Sequence, residues 1–241
     1  MRLIIIRHGD PDYSIDSLTE KGWKEAELLS QRIVPLNAEA FYVSPLGRAR
    51  DTASVTLNKL NQEALVLPWL REFHAPIEHV RTKEKKVPWD WFPQDWTGVD
   101  SFYDSKEWHK VPVMEAAHVY EEAVKVYTGL DEVLKMHGYV RDGKLYRAIR
   151  PNRDTIVFFC HFGVECVMLS HLLGISPMLL WHGFCAAPTS VTTLITEERS
   201  EGIAYFRMSS FGDISHLYAA GEEPAFAARF CETYDNMDER H

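Results

Sequence analysis

An α/β fold, a three-layer sandwich with a central, largely parallel sheet and helices on both faces, is predicted by three observations. Two short apolar runs, Leu3-Ile4-Ile5-Ile6 and Thr155-Ile156-Val157-Phe158-Phe159-Cys160, read as strands buried on both faces. Strand-like and helix-like patterns alternate at the pitch of βαβ units. Each apolar run delivers a histidine at its end, His8 and His161, and ligands of open parallel sheets sit beyond the carboxyl ends of the strands.

The elements follow in order. After the first strand, Asp10-Pro11-Asp12 interrupts regular structure, and Ser17-Leu18-Thr19-Glu20 offers a capping box for a helix over roughly residues 19–33. Gly22, Ala26, Leu29 and Ile33 trace its apolar face. Ala40-Phe41-Tyr42-Val43 reads as the next strand, broken at Ser44-Pro45, and Ala49, Ala53, Thr56 and Leu60 mark a second helix. Ala64-Leu65-Val66-Leu67 predicts a third strand. Between about residues 73 and 150 the rhythm changes. Trp89, Trp91, Phe92, Trp96, Phe102, Tyr103 and Trp108 crowd one stretch, and a helix is expected over 113–136. This reads as an insertion over the sheet, its aromatics fitting a substrate lid and packed core equally. A strand over 155–160, a helix over 163–173 and strands over 190–196 and 202–208 complete a single expected domain over residues 1–241.

Composition narrows the function. A chain of 241 residues, 46% hydrophobic and 25% charged, is long enough for a substantial core. The net charge of −9 opposes general attraction to nucleic acid or anionic membranes, so an anionic ligand would need concentrated arginines. No apolar stretch reaches spanning length and no secretory pattern opens the sequence, which makes the cytoplasm the expected location. Cys160, Cys166, Cys185 and Cys231 lack C-x-x-C spacing and read as reduced and structural. The histidines form no H-E-x-x-H or cysteine–histidine cluster, and neither a G-x-x-x-x-G-K-[ST] loop nor a G-x-G-x-x-G fingerprint occurs. No metal and no cofactor are therefore expected. The sequence does not set the oligomeric state.

Arg7-His8-Gly9 places a permanent charge, a titratable nitrogen and a flexible backbone at the end of the first strand. The same chain carries Ser44-Pro45-Leu46-Gly47-Arg48-Ala49-Arg50-Asp51-Thr52-Ala53, then Leu70-Arg71-Glu72, then the strand-borne His161. In this order they resemble the histidine phosphatase, or phosphoglycerate mutase-like, superfamily over roughly residues 1–72 and 153–217. The resemblance implies a phosphoglycerate mutase-like fold, His8 as the nucleophile that takes a phosphoryl group, Arg7, Arg48 and His161 as the phosphate pocket, and Glu72 as the proton donor. Neutral imidazole is available near pH 7, and guanidinium groups bind phosphate oxygens bidentately while staying charged. Three departures from the family pattern stand out. Phe73-His74-Ala75-Pro76-Ile77 follows Glu72 where a glycine and tryptophan pattern is common, which keeps Glu78, Glu84 and an insertion aspartate open as the acid. Asp10 and Ser14 stand where Glu or Gln and Asn are frequent, and Phe162 separates His161 from the next glycine. Arg48 could instead cap a helix or pair with Asp51, while Arg147, Arg150 and Arg153 are expected at the opposite edge of the sheet. The expected activity is metal-independent hydrolysis of a small phosphomonoester through a phosphohistidine. The alternatives are a phosphoglycerate mutase, disfavoured because no Glu-Arg-His-Tyr segment follows Leu70, and a noncatalytic phospholigand-binding module.

Overall fold

The computed structural model describes residues 1–225 and 235–236. Its sheet strands are β1 (Arg2–Arg7), β2 (Ala40–Val43), β3 (Leu65–Val66), β4 (Tyr139–Asp142), β5 (Leu145–Ala148), β6 (Thr155–Cys160), β7 (Val191–Ser200) and β8 (Ile203–Asp213). The main helices are α1 (Glu20–Ile33), α2 (Gly47–Leu60), α3 (Val119–Met136), α4 (Phe162–Leu173) and α5 (Pro177–Gly183). One eight-stranded sheet runs in the order β3-β2-β6-β1-β7-β8-β5-β4. The half from β3 to β1 is parallel. From β1 to β4 every pairing is antiparallel. The sheet is therefore mixed, and its parallel half carries both histidine-bearing strands.

Strand periodicity sorts the core into two layers. Leu3, Ile5, Ile156 and Phe158 face α3, α4 and α5. Ile4, Ile6, Val157 and Phe159 face α1 and α2, meeting Leu29, Ile33, Ala49 and Ala53. Helices thus cover both faces, and residues 3–6 of β1 and 156–160 of β6 are apolar because neither face meets water there.

Several elements differ from the sequence expectations. The cap of α1 is Thr19, whose Oγ1 accepts the Gly22 N–H at 3.0 Å. Ser17 instead lies in a two-residue ladder with Asp12 and donates to Asp51, so no capping box forms. The helix expected over 113–136 is two helices, Pro112–Ala116 and α3, because His118 adopts a left-handed backbone at φ 53°. The expected insertion ends earlier than residue 150. Residues 139–148 form the hairpin β4–β5, turned at Gly143 with φ 59°, and extend the main sheet. Most insertion aromatics are packed: Trp91, Phe102 and Trp108 are buried, whereas Phe92 and Tyr103 are exposed. Arg147, Arg150 and Arg153 are exposed; Arg147 lies on β5, and Arg150 and Arg153 precede β6, at the opposite end of that strand from His161. Cys160 and Cys166 are free and buried. Cys185 is free but exposed, so it has no core-packing role, and Cys231 lies outside the described residues.

Candidate active site

The register of the two central strands brings the histidines together. β1 and β6 pair in parallel from Arg2 opposite Thr155 to Arg7 opposite Cys160, so His8 and His161 follow at the same level. Their ring centroids are 5.0 Å apart. The backbone of His8 is pinned on both sides: its N–H donates to Cys160 O at 3.0 Å, and its carbonyl accepts the Thr189 N–H at 3.1 Å. Gly9 N donates to Thr52 Oγ1 on α2 at 2.9 Å.

His8 is 2% exposed and His161 fully buried. Nδ1 of His8 lies 2.7 Å from Gly9 O, an acceptor only, so Nδ1 carries the proton and Nε2 keeps its lone pair. Arg48 Nε donates to that Nε2 at 3.3 Å. Burial, followed by the charges of Arg7 and Arg48, holds His8 well below the usual imidazole pKa. Burial also depresses His161, with His8, Arg48, Arg7 and Arg71 adding to the effect. Nε2 of His161 shares a 2.7 Å hydrogen bond with Ser44 Oγ, while its buried Nδ1 has no partner.

Arg7 alternates to the opposite face of β1 from His8. It is 3% exposed, and its Nη1 donates to Ala186 O. Arg48 does not pair with Asp51. Its Nη1 meets Asp16 Oδ1 at 2.6 Å, and Asp16 Oδ2 accepts Gly47 N–H at 2.7 Å, capping α2 from a distant loop. Glu72 is half-buried, and its Oε1 accepts the backbone N–H groups of Phe73 at 2.8 Å and Val164 at 3.1 Å. Burial raises its pKa, against the opposing pull of those N–H donors and Arg7. Glu78 and Glu84 are exposed and face Lys83 and Lys86, and the insertion's Asp95 pairs with Arg81. Glu72 therefore stands alone among these acids in reaching the buried site.

The departures around the site have local explanations. Asp10 Oδ2 accepts the Thr19 hydroxyl at 2.7 Å, and Ser14 donates to Asp12 at 2.6 Å, so both organise the loop after β1. Gly163 is displaced one position by Phe162, and it needs to be glycine. A Cβ there would meet Glu72 Oε1 at 2.7 Å and drive into the Trp89 ring. Sequence reasoning missed Asp16, which has no periodic signature, and the pairing of Ser44 with His161. Ser44 follows β2 directly, at the strand end where the topology rule places ligands. Among the described residues, no group of three or more His, Cys, Asp or Glu is arranged to hold a metal ion, and no helix is long and apolar enough to cross a membrane.

Comparison with known proteins supplies the context. The sequence profile of the histidine phosphatase superfamily (branch 1) matches residues 3–207. A 5''-phosphoribostamycin phosphatase of Niallia circulans is 27% identical over 238 residues, covering 92% of this chain and 100% of that protein. A 2,3-bisphosphoglycerate-dependent phosphoglycerate mutase of Thermoplasma acidophilum is 32% identical over 72 residues, 26% of this chain and 36% of the mutase. The chain thus spans little more than a third of that relative. Among solved structures, a phosphoserine phosphatase of Entamoeba histolytica in complex with phosphoserine gives a TM-score of 0.59 at 21% identity, over 90% of this chain and 98% of its own. Mycobacterial glucosyl-3-phosphoglycerate phosphatase gives 0.58 at 19% identity, over 88% and 98%. These structures share the fold of this chain.

Proposed function

Since the chain belongs to the histidine phosphatase superfamily, we propose that it is a metal-independent phosphatase, hydrolysing a small phosphomonoester through a phosphohistidine at His8. The observation that carries this reading is the pair of imidazoles 5.0 Å apart, with Arg48 Nε at 3.3 Å from His8 Nε2. The full-length likeness to a phosphatase named for phosphoribostamycin supports hydrolysis of a small phosphorylated molecule.

In the first step Nε2 of His8 attacks phosphorus, the bond to the ester oxygen breaks, and Glu72 gives its proton to the departing alcohol. Arg7, Arg48 and the free Nδ1 of His161 hold the phosphoryl oxygens as charge moves onto them. In the second step the Glu72 carboxylate takes a proton from water, the water oxygen attacks phosphorus, and the bond to Nε2 breaks to release phosphate. The low pKa of His8 keeps its lone pair available, and the raised pKa of Glu72 keeps a proton on the donor.

Phosphate release from a panel of phosphomonoesters, 3-phosphoglycerate included, tests this without added metal in wild type and His8→Ala. Release by wild type that falls to background in the variant is expected. Isomerisation of 3-phosphoglycerate without release would replace the reading with a mutase, and binding of phosphomonoesters without either reaction would leave a phospholigand-binding module.

A further inference from the structure

Helix α4 is apolar almost throughout, yet one turn after His161 it carries Glu165, 1% exposed and joined to His161 O by its backbone N–H at 3.0 Å. Its carboxyl has no cation in ion-pair contact among the described residues, and the Thr192 hydroxyl is the donor that stands beside it. A buried carboxylate with no cation in contact is costly, by several kcal/mol on the order-of-magnitude scale for desolvated ions, so it calls for a role beyond packing. The chemistry assigned to His8 and Glu72 makes no use of it.

Its surroundings are specific. Period-two alternation turns Arg7 of β1 to the face that α4 covers, and Glu165 and Glu72 both lie within electrostatic reach of that guanidinium. Thr192 of β7 stands beside the carboxyl, Cys160 of β6 faces it, and Cys166 is its neighbour on α4. Both thiols are pushed well above their ordinary pKa by burial and stay neutral. Tyr13 and Glu25 also act on the guanidinium, from the loop after β1 and from α1; of the two carboxyls at the start of α4, Glu72 has to hold a proton to act as an acid.

We propose that Glu165 is a positioning residue: it is the counter-ion of Arg7 while the site is empty, and it takes up one proton from solvent when a dianionic phosphoryl group becomes the partner of Arg7. This rests on the phosphate site proposed above. The proton returns to solvent when phosphate leaves, so no net proton is consumed by the cycle. Burial pushes the Glu165 carboxyl up to about 7. A further negative charge on Arg7 is then sufficient to tip it to the neutral form.

Sulfate is the probe, because it remains a dianion over the whole range and cannot titrate in place of the protein. Calorimetry in buffers of different ionisation enthalpy at pH 7.5 should show wild type taking up roughly 0.7 proton per sulfate through Glu165, the fraction ionised there for a group titrating near 7. Its sulfate affinity should fall about tenfold from pH 6 to pH 8 on this account. Glu165→Gln should remove that uptake and that tenfold, and Glu72→Gln separates any share belonging to Glu72. Equal proton uptake and pH dependence in wild type and Glu165→Gln would overturn the proposal. Should Glu165→Gln fail to fold, the infrared difference spectrum of Glu72→Gln on adding sulfate must gain a protonated-carboxyl band; its absence would be equally fatal. Loss of sulfate binding together with absent phosphomonoester hydrolysis in wild type would remove the phosphate site itself. Normal hydrolysis dependent on His8, with no Glu165-linked proton, removes only the role of Glu165.

Discussion

Arg48 beside His8 Nε2 does two jobs with one guanidinium. After burial and Arg7, it helps keep a proton off the imidazole, and on the proposed mechanism it stands where the transferring oxygens gather. The pH dependence of kcat/KM follows with a definite sign. The rate rises as pH climbs through the depressed His8 value, below the ordinary imidazole range, and falls as Glu72 loses its proton above the ordinary carboxyl range. Glu72→Gln should lower kcat on alkyl phosphates by roughly 10²–10⁴-fold, the usual contribution of a general acid. It should do less damage on p-nitrophenyl phosphate, whose leaving group needs no proton, and it should abolish the alkaline limb of kcat. The five residues assigned to the proposed site, Arg7, His8, Arg48, Glu72 and His161, stand out in the sequence because motif order ties them together. Asp16 and Glu165 do not. Each is a lone acid whose partner is far away in sequence, and no local pattern announces such a pair.

At the scale of elements, the start of α4 is where two layers of chemistry meet. Its first turn presents the Val164 N–H to Glu72, and Gly163 leaves the space in which Glu72 and Trp89 lie. Gly163→Ala should therefore displace the carboxyl, lowering kcat more than it raises KM, and should destabilise the protein by about 1–3 kcal/mol through overpacking. Steady-state kinetics and urea unfolding of the same variant measure both. The apolar β1 and β6 and the amphipathic α1 and α2 were readable because burial imposes their periods. The hairpin β4–β5 was not recognised, although Asp142-Gly143 carries a turn signal, because the run Tyr139–Asp142 offers only short alternation. The break at His118 was hidden for a different reason. A left-handed residue between two helices leaves the apolar spacing of each intact.

For the whole molecule, buried titratable groups pull stability in opposite directions with pH. Burial depresses His216 to about 4, and His8 and His161 shift the same way. The unfolded chain therefore binds more protons than the native one on the acid side. The stability from these histidines is complete above about pH 6.5 and declines as pH falls. Glu25, fully buried between the Asp10 and Ala225 N–H groups, is pushed up to about 7, and Glu165 likewise. Their contribution is present below the ordinary carboxyl range and is lost as pH rises through about 7. The two windows overlap, so the carboxyls offset part of the histidine gain: calorimetric scans should show Tm levelling off above about pH 7, and Glu25→Gln should steepen its rise between about pH 4.5 and 6.5, an unchanged slope contradicting this placement. The mixed sheet was only half legible, since strand patterns fix faces but leave direction to the connections.

The position of β1 has a consequence for synthesis. Its two neighbours in the sheet are drawn from Thr155–Cys160 and Val191–Ser200. At about 5–20 residues per second, a nascent chain holds this apolar strand unpaired for roughly 8–30 s before β6 is even translated. His8, the proposed nucleophile, is thus translated well before either strand that flanks it in the sheet. Over that interval Leu3, Ile4, Ile5 and Ile6 are an apolar segment without its sheet partners, the kind of exposed strand that is prone to association during synthesis.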